Sequence, residues 1–179
     1  MKTASLLALI AAAGVANAGV ASYADLSGMT TNDAEGSVTN VAFTHAVGMG
    51  DTLVTAVSWD LDQTAGIDPG GASWLSEMTI AMDFDGDGIN DLYITPSATN
   101  APGTEFNSSG GFVDLGDAGI GDLLAVGGTI DIELFESFVD SDGSPEGIFN
   151  SGTVGFLVPA PGAAAMLGLG GLVASRRRR

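Results

Sequence analysis

The chain is predicted to be all-β, an antiparallel β-sandwich of which a jelly roll is one variant. Three observations predict this. Apolar and polar residues alternate along several short stretches, turn-rich segments separate them, and helical periodicity is hard to find between residues 19 and 157. Seven or so short strands at such spacing suit two packed antiparallel sheets. No repeat of about 20–50 residues is visible, which argues against a propeller or a solenoid.

Residues 1–18 combine Lys2, an apolar stretch from Leu6 to Val15 and the small-residue triplet Ala16-Asn17-Ala18, which together read as a secretory signal peptide cut before Gly19. A weak strand is expected at residues 38–45. Leu53, Thr55, Val57, Trp59 and Leu61 share one face of the next. Trp74, Met78, Ile80, Met82 and Phe84 share a face of another, followed by a short strand at 92–95 and a weak one at 111–115. Residues 101–122, rich in Gly, Ser and Asn, give no clear pattern. Ile130, Ile132 and Leu134 oppose Asp131 and Glu133, and Val154, Phe156 and Val158 close the body. Three parts follow: a signal peptide at 1–18, a sandwich domain at 19–157 and a tail at 158–179.

All 22 acidic residues lie between Asp25 and Glu146, while the 5 basic ones are Lys2 and Arg176 to Arg179. The body therefore has no side-chain salt bridge to Lys or Arg. Its carboxylates are balanced by backbone N–H groups, the new N-terminus, His45 or dissolved ions. The same field repels phosphate, which excludes nucleic acid and anionic membrane surfaces as partners. An acidic surface also maintains solubility in saline habitats, a plainer account of the composition. With no cysteine there is no disulfide framework.

One motif carries chemistry. Asp83, Asp85, Asp87 and Asp91 occupy positions 1, 3, 5 and 9 of a calcium-type loop, Gly88 stands at position 6 where the chain must turn sharply, and Ile89 offers its backbone carbonyl at position 7 with its side chain left for the core. Hard oxygen donors alternating on a tight curve converge on one centre, and without a cation the carboxylates repel one another. Ca2+ is the expected ion, and Mg2+ tolerates such a flexible cage poorly. The competing reading is a solvated acidic hairpin. The loop is not a helical EF-hand, because position 12 is Ile94 and both flanks read as strands. It resembles the Asp-x-Asp-x-Asp-Gly-x-x-Asp loops of bacterial extracellular β-proteins, a resemblance of nine residues that implies calcium binding only. A second acidic loop at 140–146 has alternating oxygens but lacks the position-6 glycine, and is a weaker candidate for an ion.

Other constellations fall short of catalysis. His45 is the only histidine and has no nucleophile or acid in a recognisable pattern beside it. Asp131 and Glu133 are two apart on a strand and could act as acid and nucleophile on a glycoside, but alternation puts them on the solvated outer face. Trp59 and Trp74 are in register with apolar neighbours and read as core. Exposure of either beside an acidic groove would favour a carbohydrate-binding module instead.

The tail begins Val158-Pro-Ala-Pro-Gly, continues through a 14-residue apolar run, Gly162 to Ser175, and ends in four arginines. The run is shorter than the ~20 residues that span a bilayer, unless residues 156–161 are drawn in. In this order of elements it resembles the sorting tails of PEP-CTERM proteins, with Ala160 where that family usually has Glu. The resemblance covers residues 158–179; the alternative for this segment is a generic stop-transfer tail without processing. The resemblance implies a transient transmembrane helix in the inner membrane, processing by an exosortase-type enzyme, residence at the cell surface, outer envelope or extracellular matrix of a Gram-negative bacterium, and association with extracellular polysaccharide. The expected protein is non-enzymatic, exported and calcium-stabilised, with a structural or adhesive role. The alternatives are a carbohydrate-binding module and, more remotely, an acidic-pair glycoside hydrolase.

Overall fold

The computed structural model of the chain describes residues 19–68, 70, 72–140 and 144–160, so the expected signal peptide and residues 161–179 of the expected tail lie outside the described residues. The rest is all-β and every strand pairing is antiparallel. The first sheet runs β1 (Gly19–Asp25), β12 (Gly147–Pro159), β5 (Ala56–Ala65), β8 (Gly103–Ser108). Short strands β2 (Met29–Thr31) and β9 (Val113–Asp114) are added onto β12 and β5 respectively. The second sheet runs β3 (Val41–Ala46), β11 (Thr129–Glu136), β6 (Met78–Asp83), β7 (Leu92–Ile94). A small separate pair joins β10 (Leu123–Ala125) to β4 (Thr52–Val54).

Followed along the chain, β1, β3, β5, β6, β7, β8, β11 and β12 alternate between the two sheets except at the β6–β7 hairpin, and the first and last strands finish side by side. This is the strand order of a jelly roll, in which returning connections place late strands between early ones. The driving force is the period-two pattern. Ile130, Ile132 and Leu134 on β11 and Ile80 and Met82 on β6 are fully buried, and they meet Leu61, Phe149, Val154 and Phe156 of the first sheet in one apolar cluster. Phe84 sits edge-on to Phe156, with ring centroids 6.3 Å apart.

Among the described residues, twelve strands replace the seven or so expected, and several assignments shift. Leu53 does not share the face of Val57 and Leu61. The chain breaks between β4 and β5 at Thr55, and Leu53 is turned to solvent. Trp74 is not on the strand with Met78. It lies in a turn whose next residue, Leu75, takes the buried place. Val38 is fully exposed, three residues before β3 begins. Strand β8, within the stretch that gave no pattern, inverts the usual polarity: Glu105 and Asn107 share the register face of Gln63 and Leu61, while Phe106 points outward. An edge strand needs little apolar surface, so alternation does not reveal it.

A bulge in β12 between Phe149 and Ser151 brings the backbone of Gly152, with φ +122°, against β5. A Cβ added there would lie 2.0 Å from the Asp60 carbonyl oxygen. Gly152→Ala is therefore expected to destabilise the protein by about 2–4 kcal/mol, combining the cost of a left-sided backbone with overpacking. Urea denaturation checks this, and a midpoint equal to that of the wild type would contradict the bulge geometry.

Candidate metal centre

The acidic loop joins β6 to β7 in the second sheet. It starts where Asp83 ends β6 and closes where the Asp91 N–H donates to the Met82 carbonyl, at 2.8 Å. Phe84 anchors it in the core, and the Phe84 carbonyl accepts the Val126 N–H at 2.9 Å. The carboxylates then take up the loop's own donors. Asp83 Oδ1 accepts the Gly86 N–H at 2.7 Å and Oδ2 the Gly88 N–H at 2.8 Å, while Asp91 Oδ2 accepts the Phe84 N–H at 2.8 Å. Gly88 turns with φ +83°, as position 6 of such a loop requires.

These constraints bring together Asp83, Asp85 and Asp91, each contributing one carboxylate oxygen, with the three oxygens within 4.8 Å of one another. Oxygens that share one calcium at bonds of about 2.3–2.6 Å lie no more than about 5 Å apart, so the spacing fits that ion. Asp83 is buried, and Asp85 and Asp91 open to solvent, which leaves an entry path. Asp87 lies outside the group, its Oδ1 accepting the Ile89 N–H at 2.8 Å. The Ile89 side chain is not in the core. It is 70% exposed at the tip of the hairpin, because two glycine turns carry the backbone outward there.

Beside the loop, an open groove of about 410 Å³ runs along the outer face of the second sheet and is lined in part by Thr44, Asp83, Asn90, Asp131 and Glu133. Asp131 is paired in register with Asp83 and accepts the Thr44 hydroxyl at 2.5 Å. Glu133 is not simply solvated. It is half-buried under the loop of residues 32–40, where its Oε1 accepts the Gly36 N–H and the Asn40 amide, both at 2.7 Å. Glu35 of the same loop accepts Asn90 Nδ2 at 2.6 Å and the Tyr93 hydroxyl at 2.7 Å, which straps the loop to the hairpin. His45 pairs with the Ser22 hydroxyl at 2.7 Å and lies against Phe156, and its burial lowers its pKa.

The two tryptophans part company. Trp59 packs against the core, whereas Trp74 is 42% exposed and lines a second pocket with Glu77, Phe138 and Asp140. Of the second acidic segment, residues 141–143 lie outside the described residues; at its two ends Glu146 is fully buried and both its oxygens accept the Asp140 N–H, at 3.1 Å.

A buried acid near this end of the second sheet was not singled out from the sequence. Glu136, the last residue of β11, has no exposed surface. It accepts hydrogen bonds from Thr31 Oγ1 and, at 3.4 Å, from Ser73 Oγ. Burial raises its pKa to about 8, opposed by the hydroxyl of Thr31 and reinforced by the negative charges of Glu146 and Glu77. The signal was present: Glu136 continues the inward parity of Ile130, Ile132 and Leu134. No family model, no curated protein and no solved structure matches the chain.

Proposed function

We propose that the protein is a non-enzymatic, exported component of the cell surface, outer envelope or extracellular matrix of a Gram-negative bacterium, a β-sandwich stabilised by calcium at Asp83, Asp85 and Asp91 with a structural or adhesive role. The observation that carries this reading is the focus of three carboxylate oxygens within 4.8 Å, in a body that has no Lys or Arg to relieve them. The loop pattern alone would add Asp87 and the Ile89 carbonyl, but Asp87 lies outside the group of three oxygens. The PEP-CTERM resemblance of residues 158–179 supplies the sorting route, with an exosortase-type enzyme as transient partner and extracellular polysaccharide as surroundings.

Mass spectrometry of the protein recovered from the extracellular matrix tests the route. Arg176 to Arg179 are expected to be missing, and a chelator is expected to weaken retention in the matrix. Intact arginines on matrix-located protein, or retention indifferent to the chelator, would count against it.

A second reading, a carbohydrate-binding module, is favoured by one observation: an exposed Trp74 beside the carboxylates of Glu77 and Asp140. Aromatic faces stack on the apolar faces of sugar rings, and carboxylates accept hydrogen bonds from hydroxyls.

A further inference from the structure

The Trp74 pocket has a volume of about 490 Å³ and is lined, among the described residues, by Ala72, Trp74, Glu77, Phe138 and Asp140. Its aromatic walls are Trp74 and the 62% exposed Phe138. The backbone that carries these walls is tied down before any ligand arrives. The Trp74 N–H donates to Glu77 Oε2 at 2.7 Å, and the Glu77 N–H donates back to the Trp74 carbonyl at 3.0 Å, a closed turn. That turn is fastened by the Leu75 N–H to the Ala101 carbonyl at 3.1 Å and by burial of Leu75. The Ser137 N–H, donating to the Glu77 carbonyl at 2.9 Å, ties it to the segment that carries Phe138. A fixed platform loses little entropy on binding.

The chemistry of the lining selects one kind of ligand. Its charged side chains are Glu77 and Asp140, both acceptors when ionised, and residues 19–159 contain all 22 acidic residues and no Lys or Arg. A uronic acid or a phosphate is repelled by this field. A neutral sugar finds stacking surface but no charge complement. A ring that carries an ammonium group gains on both counts, since the cation is attracted by the carboxylates and by the faces of Trp74 and Phe138.

We propose that the Trp74–Phe138 pocket binds an amino sugar, its ring on the aromatic platform and its ammonium group toward Glu77 and Asp140. This rests on the carbohydrate-binding reading and names the sugar class. The test titrates the full-length protein with glucosamine oligomers, N-acetylglucosamine oligomers of equal length and oligo-lysine of equal charge, buffered below neutrality so that the sugar amine is protonated. Glucosamine oligomers are expected to bind roughly tenfold more tightly than the acetylated ones. Trp74→Ala and, independently, Phe138→Ala are expected to weaken that binding by roughly the same factor, with unchanged melting midpoints, since both rings are exposed. Equal affinity for amine and acetylated oligomers would overturn the ammonium inference and leave the carbohydrate reading standing. No binding of either oligomer would overturn both. Oligo-lysine binding as tightly as the glucosamine oligomers, with neither aromatic substitution weakening glucosamine binding, would reduce the interaction to the general acidity of the surface and overturn the proposal.

Discussion

Glu136→Gln is expected to stabilise the protein at neutral and alkaline pH and to flatten its pH dependence. In the folded chain the carboxyl of Glu136 has no exposed surface and no Lys or Arg within the body to pair with, and its pKa rises from 4.5 to about 8. In the unfolded chain the same group is ionised above its ordinary pKa. Folding therefore takes up a proton between these two values. Stability associated with Glu136 is fully present below 4.5 and is lost as pH rises through about 8. A proton taken up on folding makes stability fall by about 1.4 kcal/mol for every pH step of one, so the decline amounts to roughly 3–5 kcal/mol across the window. The amide of glutamine has the shape of the protonated acid, offers the Thr31 hydroxyl the same acceptor, and has no proton to lose. Denaturant melts of wild type and Glu136→Gln across that range check the sign. Parallel curves for the two proteins would show that Glu136 does not titrate in the fold as its burial requires.

Asp83→Asn is expected to remove most of the stabilisation that the proposed calcium site predicts and also to cost stability without calcium. The carboxylate of Asp83 does two things at once: it contributes an oxygen to the cluster with Asp85 and Asp91, and its two oxygens accept the Gly86 and Gly88 N–H groups. An amide in its place lowers the negative charge around the ion and turns an NH2 group toward one of those donors. The loss of that hydrogen bond is worth about 1–3 kcal/mol in chelator, and the calcium-dependent increment should shrink to less than about 1 kcal/mol. Asp87→Asn is the control within the same loop. Its carboxylate accepts the Ile89 N–H and lies outside the cluster, so it should reduce the calcium increment less. Equal effects of the two substitutions would point to diffuse electrostatics in place of a defined centre.

Much of the architecture was legible because its strongest strands carry alternation that burial enforces. Ile130, Ile132 and Leu134 announce β11, and Val154 and Phe156 announce β12, because each apolar residue fills the space between the sheets. The edges were not legible. Strand β1 offers Ala24 as its one buried residue, and β8 places Glu105 and Asn107 where a central strand would place apolar side chains. A sheet edge is held by backbone hydrogen bonds to one neighbour, and its side chains are under weak constraint. Trp74 was misplaced for a related reason: a period-two count runs on paper from Trp74 through Ser76 to Met78, but the chain turns at 74–77, and a turn ends the meaning of parity.

The acidic loop was legible as a tight turn in its spacing, since alternating aspartates with a glycine at the turn leave few ways to fold. Its fine structure was not. Which aspartates converge depends on which backbone N–H groups each carboxylate takes, and only the path of the chain through Gly86 and Gly88 decides that. The exposed Ile89 shows the same point, as its position in the motif fixes a carbonyl and says nothing about where its side chain goes.

Thermal unfolding of the full-length protein in calcium and in chelator, at fixed ionic strength, tests the calcium centre most directly. At calcium about 100 times its dissociation constant, stabilisation of ~2.7 kcal/mol is predicted, seen as a melting midpoint several degrees higher. A midpoint that does not respond to calcium, or that monovalent salt raises to the same extent, would contradict a calcium ion held by Asp83, Asp85 and Asp91.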